Sequence, residues 1–120
     1  HFRVDLVQAD YFARNPFLRA PEGANWKPVK SQEVWPIRPN PGVNRGYRPE
    51  QLRNTDWTLA SYTAACSPLV YRGDQFPARL VGDVFVCEPA GNLVRHSRVT
   101  EKDGYLTAEN AYRNAEFLAS

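Results

Sequence analysis

Residues 67–95 read SPLVYRGDQFPARLVGDVFVCEPAGNLVR. Leu69, Val70 and Tyr71 make one short apolar run, and Val84, Phe85, Val86 and Cys87 make another, richer in β-branched and aromatic residues. Such runs bounded by Gly, Pro and Asp favour strands. The runs are separated by RGDQFPARLVGD, and the second ends in EPAGN, a turn-forming cluster. The spacing predicts strands over 67–73 and 82–88.

The flanking sequence extends this pattern. GNLVRHSRV (91–99) reads as a third strand entered through the PAGN turn, and EKDG (101–104) as a hairpin turn with Gly at its close. YLTAENAYR (105–113) returns as a fourth strand, although its Ala and Glu also permit a helix. WTLASYTAA (57–65) is a further strand or extended run. At the other end, FRVDLVQ (2–8) alternates apolar and polar residues, as a half-buried strand does. Asp10 can cap one helical turn that stops near Asn15, because Pro16 follows. The expected class is all-β, built from antiparallel four-stranded meanders, and meanders of this kind occur in propeller blades, sandwiches and barrels alike.

Residues 20–56 have no sustained period and hold six of the ten prolines, which hinders ladder formation. Trp26, Val34, Trp35, Ile37 and Tyr47 are nevertheless too apolar for a free linker. A loop lying over a larger surface and pinned by aromatic anchors is expected, with RPEQL (48–52) opening one helical turn at Pro49. The organisation is then 1–19, a strand and short helical turn; 20–56, a Pro-rich surface loop; and 57–120, blade-like strands.

Bulk composition excludes some functions. The chain has 120 residues, 42% hydrophobic and 23% charged, with a net charge of +2. Arg53, Arg72, Arg79, Arg95 and Arg98 are scattered among acidic neighbours, so no concentrated basic face for nucleic acid is expected. No stretch approaches the roughly 18 apolar residues of a membrane-spanning helix. No C-x-x-C is present, so neither a zinc knuckle nor a c-type haem attachment is expected. Cys66 and Cys87 lie at or in the two apolar runs, as either a disulfide between paired strands or two buried free thiols. Tyr62, Thr63 and Ser67 flank Cys66 with no base in sequence reach, and GVNRG lacks the Lys and helix of a phosphate loop.

YRGDQFP followed by GDVFV and by a strand carrying Arg near its end resembles the soluble aldose dehydrogenase and sorbosone dehydrogenase-like β-propellers. EPAGNLVR, YFARNPFL and EFLAS resemble their bacterial branch of membrane-bound and haem-containing dehydrogenases. The resemblance covers 65–99 well and the flanks loosely. It implies a six-bladed propeller that oxidises sugars or aldehydes with pyrroloquinoline quinone (PQQ) in a central cleft, in the periplasm or outside the cell. A chain of 120 residues supplies one to two blades, so the resemblance also implies remaining blades on another chain or on the rest of a parent polypeptide.

In such propellers Arg and Lys hold the cofactor's carboxylates and quinone oxygens. Carried onto this chain, Arg72 and Arg95 are the candidate cofactor ligands. Glu88 and Asn92 could hold Ca2+ through oxygen ligands, or could instead stabilise a turn through side chain to backbone bonds. His96, the internal histidine, is expected to be structural or exposed, because the family's general base lies in an earlier blade. Gly73 and Gly82 are expected to allow backbone turns, Phe76 and Pro77 to plug the space between blades, and Asp74 and Asp83 to bond turn amides. A propeller module that has lost its cofactor ligands and serves as a structural or interaction subunit would keep the same scaffold sequence.

Overall fold

A computed structural model describes residues 9–17, 27–44, 48–103 and 105–120. Its elements are α1 (Ala9–Arg14), α2 (Pro41–Asn44), β1 (Cys66–Val70), β2 (Val84–Glu88), β3 (Leu93–Lys102), β4 (Tyr105–Asn110) and β5 (Leu118–Ala119). The expected strand over 2–8, and the anchors Trp26 and Tyr47, lie outside the described residues. The expected helical turn is α1, which starts at Ala9 and so holds Asp10 in its first turn and not as its cap, and which ends before Pro16 as anticipated.

The four main strands form an antiparallel meander in the order β1-β2-β3-β4, and β5 pairs with the start of β3. Val84 to Glu88 lie opposite Ser97 to Leu93, and Ser97 to Lys102 lie opposite Asn110 to Tyr105. The PAGN turn is a 3-10 turn over Pro89–Gly91 closed by Asn92 in the left-handed region (φ 51, ψ 48). Short polar Asn tolerates that conformation better than a branched residue. The β3–β4 hairpin closes at the Lys102–Tyr105 pair, with Asp103 at φ 53. Of the segment 105–113, open to helix or strand from its composition, residues 105–110 form a strand because β3 offers them a ladder, and 111–113 bend away outside it.

The run 57–65 is not a continuous strand. It makes isolated bridges, Leu59 with Leu52 and Ser61 with Glu33. Its hydrogen bonds go to neighbouring irregular backbone: the Val34 amide donates to the Ala60 carbonyl and the Tyr62 amide to the Gln32 carbonyl, both at 3.1 Å. The Pro-rich segment is thus satisfied by short local bridges, the outcome open to a chain that prolines keep out of a long ladder. Its 3-10 turn does start at Pro49.

Directly opposed residues of an antiparallel pair share a face. One face therefore carries Val86, Glu88, Leu93 and Arg95, and the other carries Leu69, Phe85, Cys87, Val94 and His96. The surface under the Pro-rich segment is the first of these. Val34 and Leu59, both fully buried, pack there on Ala90 and Leu93. Trp35 is held by the Arg53 guanidinium, 3.9 Å from its ring centroid. Ile37, expected as an anchor, is exposed.

The second face holds a smaller cluster of Tyr71, Leu80 and Phe85 with Val94 and Phe117. Gly73 lies against the Tyr71 ring, where a Cβ would sit 3.0 Å from it, and Gly82 takes φ +95, so both glycines serve the tight loop from 71 to 83. Phe76 packs on Tyr71 and Phe117 of its own chain, at centroid distances of 5.2 and 5.7 Å.

Because Leu59 seals the covered face from an irregular segment, Leu59→Ala should cost about 2–5 kcal/mol, as core truncations do. Urea denaturation read by Trp fluorescence measures this. A loss below about 0.5 kcal/mol would mean that the Pro-rich segment is not integral to the core.

Candidate functional site

Each candidate site residue has a defined place. Arg95, from the middle of β3, is buried on the covered face. Its Nε donates to Glu116 Oε2 at 2.6 Å, and a terminal nitrogen donates to Glu116 Oε1 and to the Glu33 carbonyl. Burial alone would lower the Arg95 pKa, but the Glu116 hydrogen bonds and the neighbouring Tyr62 and Glu116 outweigh it and hold the guanidinium charged. Burial pushes the Tyr62 phenol well above its ordinary value. Glu116 also accepts from the Trp35 amide at 2.8 Å. The Arg95 charge is thus balanced inside the core.

Arg72 lies just past β1 and is exposed. β2 stands between β1 and β3, so the fold does not bring the two arginines together.

Glu88 ends β2 and is fully buried. Its carboxylate accepts from the Ala90 amide at 3.2 Å, capping the 89–91 turn, and from the Thr63 and Ala64 amides at 2.9 Å. This is the turn-stabilising arrangement weighed from the sequence, extended by a long-range clamp onto 63–64. Asn92 contributes its backbone, with the amide donating to Pro89 and the carbonyl accepting from Ser120.

His96 is buried on the other face. Its Nε2 lies 2.7 Å from Asp83 Oδ2, and its Nδ1 lies 3.4 Å from the Tyr112 hydroxyl. Asp83, just before β2, also accepts from the Val99 amide at 2.9 Å. Burial pushes the Asp83 carboxyl up, but the Val99 amide and His96 together hold it below the ordinary carboxylate value. An ionised Asp83 can only accept, so Nε2–H is the donor. The His96 ring stacks on Phe85 at 4.9 Å. Its expected structural role is matched by this clamp of the turn before β2 onto β3. Asp83 thus bonds a strand amide where a turn amide was expected. Asp74 accepts from the Gln75 side chain.

Two concavities open on this second face. An apolar groove of about 590 Å3 is lined by Leu69, Tyr71, Phe76, Phe85, Cys87 and Phe117 among others. A smaller one of about 330 Å3 lies over His96, with Arg79, Arg98 and Tyr112 at its walls. Leu69 is 59% and Phe76 42% exposed at the groove. β1 ends the sheet, is exposed at all five residues, and has no strand on its outer edge among the described residues.

Cys66 and Cys87 are directly opposed across β1 and β2. Both are free thiols; Cys66 is exposed and Cys87 partly buried.

A family model described as a domain of unknown function, DUF7133, matches residues 1–120. The chain belongs to that family. Comparison with curated proteins and with solved structures gave no match. The description of DUF7133 names no cofactor, so the fit of one rests on the side chains. Among the described residues, no three His, Cys, Asp or Glu side chains gather to hold a metal ion, and Glu88 is committed to backbone amides. Neither concavity is lined by Arg72 or Arg95. Among the described residues, Arg72 and Arg95 do not meet in a shared concavity. Among the described residues no helix is long and apolar enough to cross a membrane.

Sequence reasoning missed Glu116 and the Asp83–His96 pair. Glu116 sits in a short terminal run, and 21 residues separate it from Arg95. No local spacing signals either pairing, since the register of β2 and β3 creates one and the return of β5 the other.

Removing one partner of the buried ion pair should be costly: Glu116→Leu is expected to lose about 3–5 kcal/mol, and Arg95→Met with Glu116→Leu to recover most of it. Paired urea titrations read the difference; equal losses in both variants would mean that packing, not an orphaned charge, is responsible. The Asp83 contribution is complete above the ordinary carboxylate value of 3.8 and is lost as pH falls through the lower folded value. Asp83→Asn should therefore destabilise the protein at pH 7, by about 1–3 kcal/mol. The gap to the parent should narrow as the solution is acidified below pH 3.8.

Proposed function

We propose that this chain is scaffold: a blade-forming part of a sorbosone/aldose dehydrogenase-like propeller whose open face docks on neighbouring β-structure. The activity class, oxidation of sugars or aldehydes with a quinone in the periplasm or outside the cell, comes from the resemblance of YRGDQFP…GDVFVCEPAGNLVR. The scaffold role comes from the geometry. The observation that carries it is the asymmetry of the meander: one face is covered by Val34, Leu52, Leu59 and Tyr62 of the chain's own irregular segments, and the other leaves an apolar groove beside an edge strand that no other strand pairs among the described residues. Monomeric proteins seldom leave such a surface uncovered, and exposed edge strands invite pairing. Stacked four-stranded sheets are how propellers cover both.

A second reading, a non-catalytic propeller module in a larger assembly, is favoured by the commitment of Arg95 and Glu88 to the core. The two readings share the docking face and differ in whether a quinone is held elsewhere in the whole protein. No step of the oxidation is assigned to this stretch.

The test uses the full-length protein. Leu69→Asp with Phe76→Asp places charge in the groove. If the face is covered by neighbouring β-structure, thermal stability should fall by several degrees. If it faces water, the change should stay within about 0.5 kcal/mol, and the scaffold proposal fails. Dye-linked oxidation of aldoses or aldehydes, with a quinone absorbance in the purified protein, separates the two readings. Arg72→Ala should leave that activity unchanged.

A further inference from the structure

We propose that Cys66 and Cys87 form a redox-closable clasp, a cross-strand dithiol at the groove that converts to an intrachain disulfide and fastens edge strand β1 to β2. The argument rests on the β1–β2 register and stands whether or not the propeller reading holds.

The backbone brings the two residues directly opposite each other. Opposed residues of an antiparallel pair have Cα atoms about 4.5–5.5 Å apart and side chains on one face. A disulfide needs Cα atoms about 4.4–6.8 Å apart with converging Cβ vectors. The register thus brings the two Cα atoms into the range a disulfide spans.

The pair is also held from both sides. Glu88, the residue after Cys87, grips the amides of Thr63 and Ala64, just before Cys66. Beyond the cysteines, Leu69 opposes Phe85 and Val70 opposes Val84. Between these two anchors the register shifts: Cys66 to Leu69 spans one residue more than Cys87 to Phe85, and Ser67 takes φ 50. That extra residue is a bulge, a local irregularity with room to adjust the approach of Cys66.

The chemistry is thiol–disulfide exchange with a small external disulfide such as oxidised glutathione. Cys66 is exposed, so its thiolate is the point of entry while the face is open. It attacks one sulfur of the external disulfide, forming a mixed disulfide and releasing one thiolate. The Cys87 thiolate then attacks Cys66 Sγ and expels the second. Two protein thiols are oxidised and one external disulfide is reduced; the two protons lost by the protein thiols are taken up by the two expelled thiolates, which become thiols.

Closure links the ends of the segment that carries Leu69, Tyr71 and Phe76, which line the groove. The oxidised chain should therefore hold β1 and the groove wall more firmly than the reduced chain. Without the bond, β1 is the strand whose side chains are all exposed.

The experiment uses the full-length protein, alkylated at lysis or after incubation with oxidised glutathione, then digested with trypsin without reductant. The expected product is the peptide from Asn54 to Arg72 joined to the peptide from Leu80 to Arg95, with both thiols lost and both recovered on reduction. Hydrogen exchange across 66–70 should be slower in the oxidised form. In Cys87→Ser, oxidised glutathione should leave a glutathione adduct on Cys66. Two thiols that stay free in oxidised glutathione would overturn the clasp. So would recovery of Cys66 joined only to glutathione or to another chain in the parent sequence.

Discussion

The structure depends on a charge buried where three separate stretches meet. Arg95 rises from the middle of β3 into the covered face, and its guanidinium is matched by Glu116 from the chain's last run and by the Glu33 carbonyl of the covering segment. Glu116 in turn takes the Trp35 amide. A guanidinium has donors in a fixed planar fork and stays ionised, so leaving it unmatched out of water is costly. The two stretches that meet β3 there are irregular or short by themselves. Together they satisfy one another, and the prolines of 27–44 remain compatible with a sealed core because the polar atoms they leave free find side-chain and bridge partners.

The two faces of the sheet are finished differently, and that difference bears on function. The covered face combines Val34, Leu59, Ala90 and Leu93 with the Arg95 and Glu88 networks. The other face is organised by aromatic stacking around Phe85 and by the Asp83–His96 clamp, and it stops at an apolar groove. Ionisable groups that could have served a cofactor are turned toward backbone amides or toward each other. The groove they leave is lined by apolar and aromatic side chains and lies beside edge strand β1.

Much of the meander was legible in the sequence. Val84–Val86 is dense in β-branched and aromatic residues, Leu93–Val99 opens on Leu-Val and closes on Val, and the turn between them carries Pro, Gly and Asn at the positions that demand them, so local preference and final structure agree. The run 57–65 reads equally well as a strand, yet it finds only single bridges because its neighbours are the proline-interrupted 28–36 and 48–53. The readings of Arg95 and Glu88 as cofactor or cation ligands followed from residue type near strand ends. Residue type does not say which face of the sheet a side chain occupies, nor whether that face is covered.

What the sequence determined by itself is local: that β2 and β3 are strands, where Asn92 and Gly82 turn the chain, and where Pro16 ends a helix, because these follow from backbone preferences within a few residues. What only the tertiary structure decided is pairing at a distance. That Cys66 faces Cys87, that His96 meets Asp83, and that Arg95 finds Glu116 depend on strand register and on which segment lies over which face. A shift of one residue in register would turn every one of those side chains to the opposite side, so no local feature of the sequence could have fixed them.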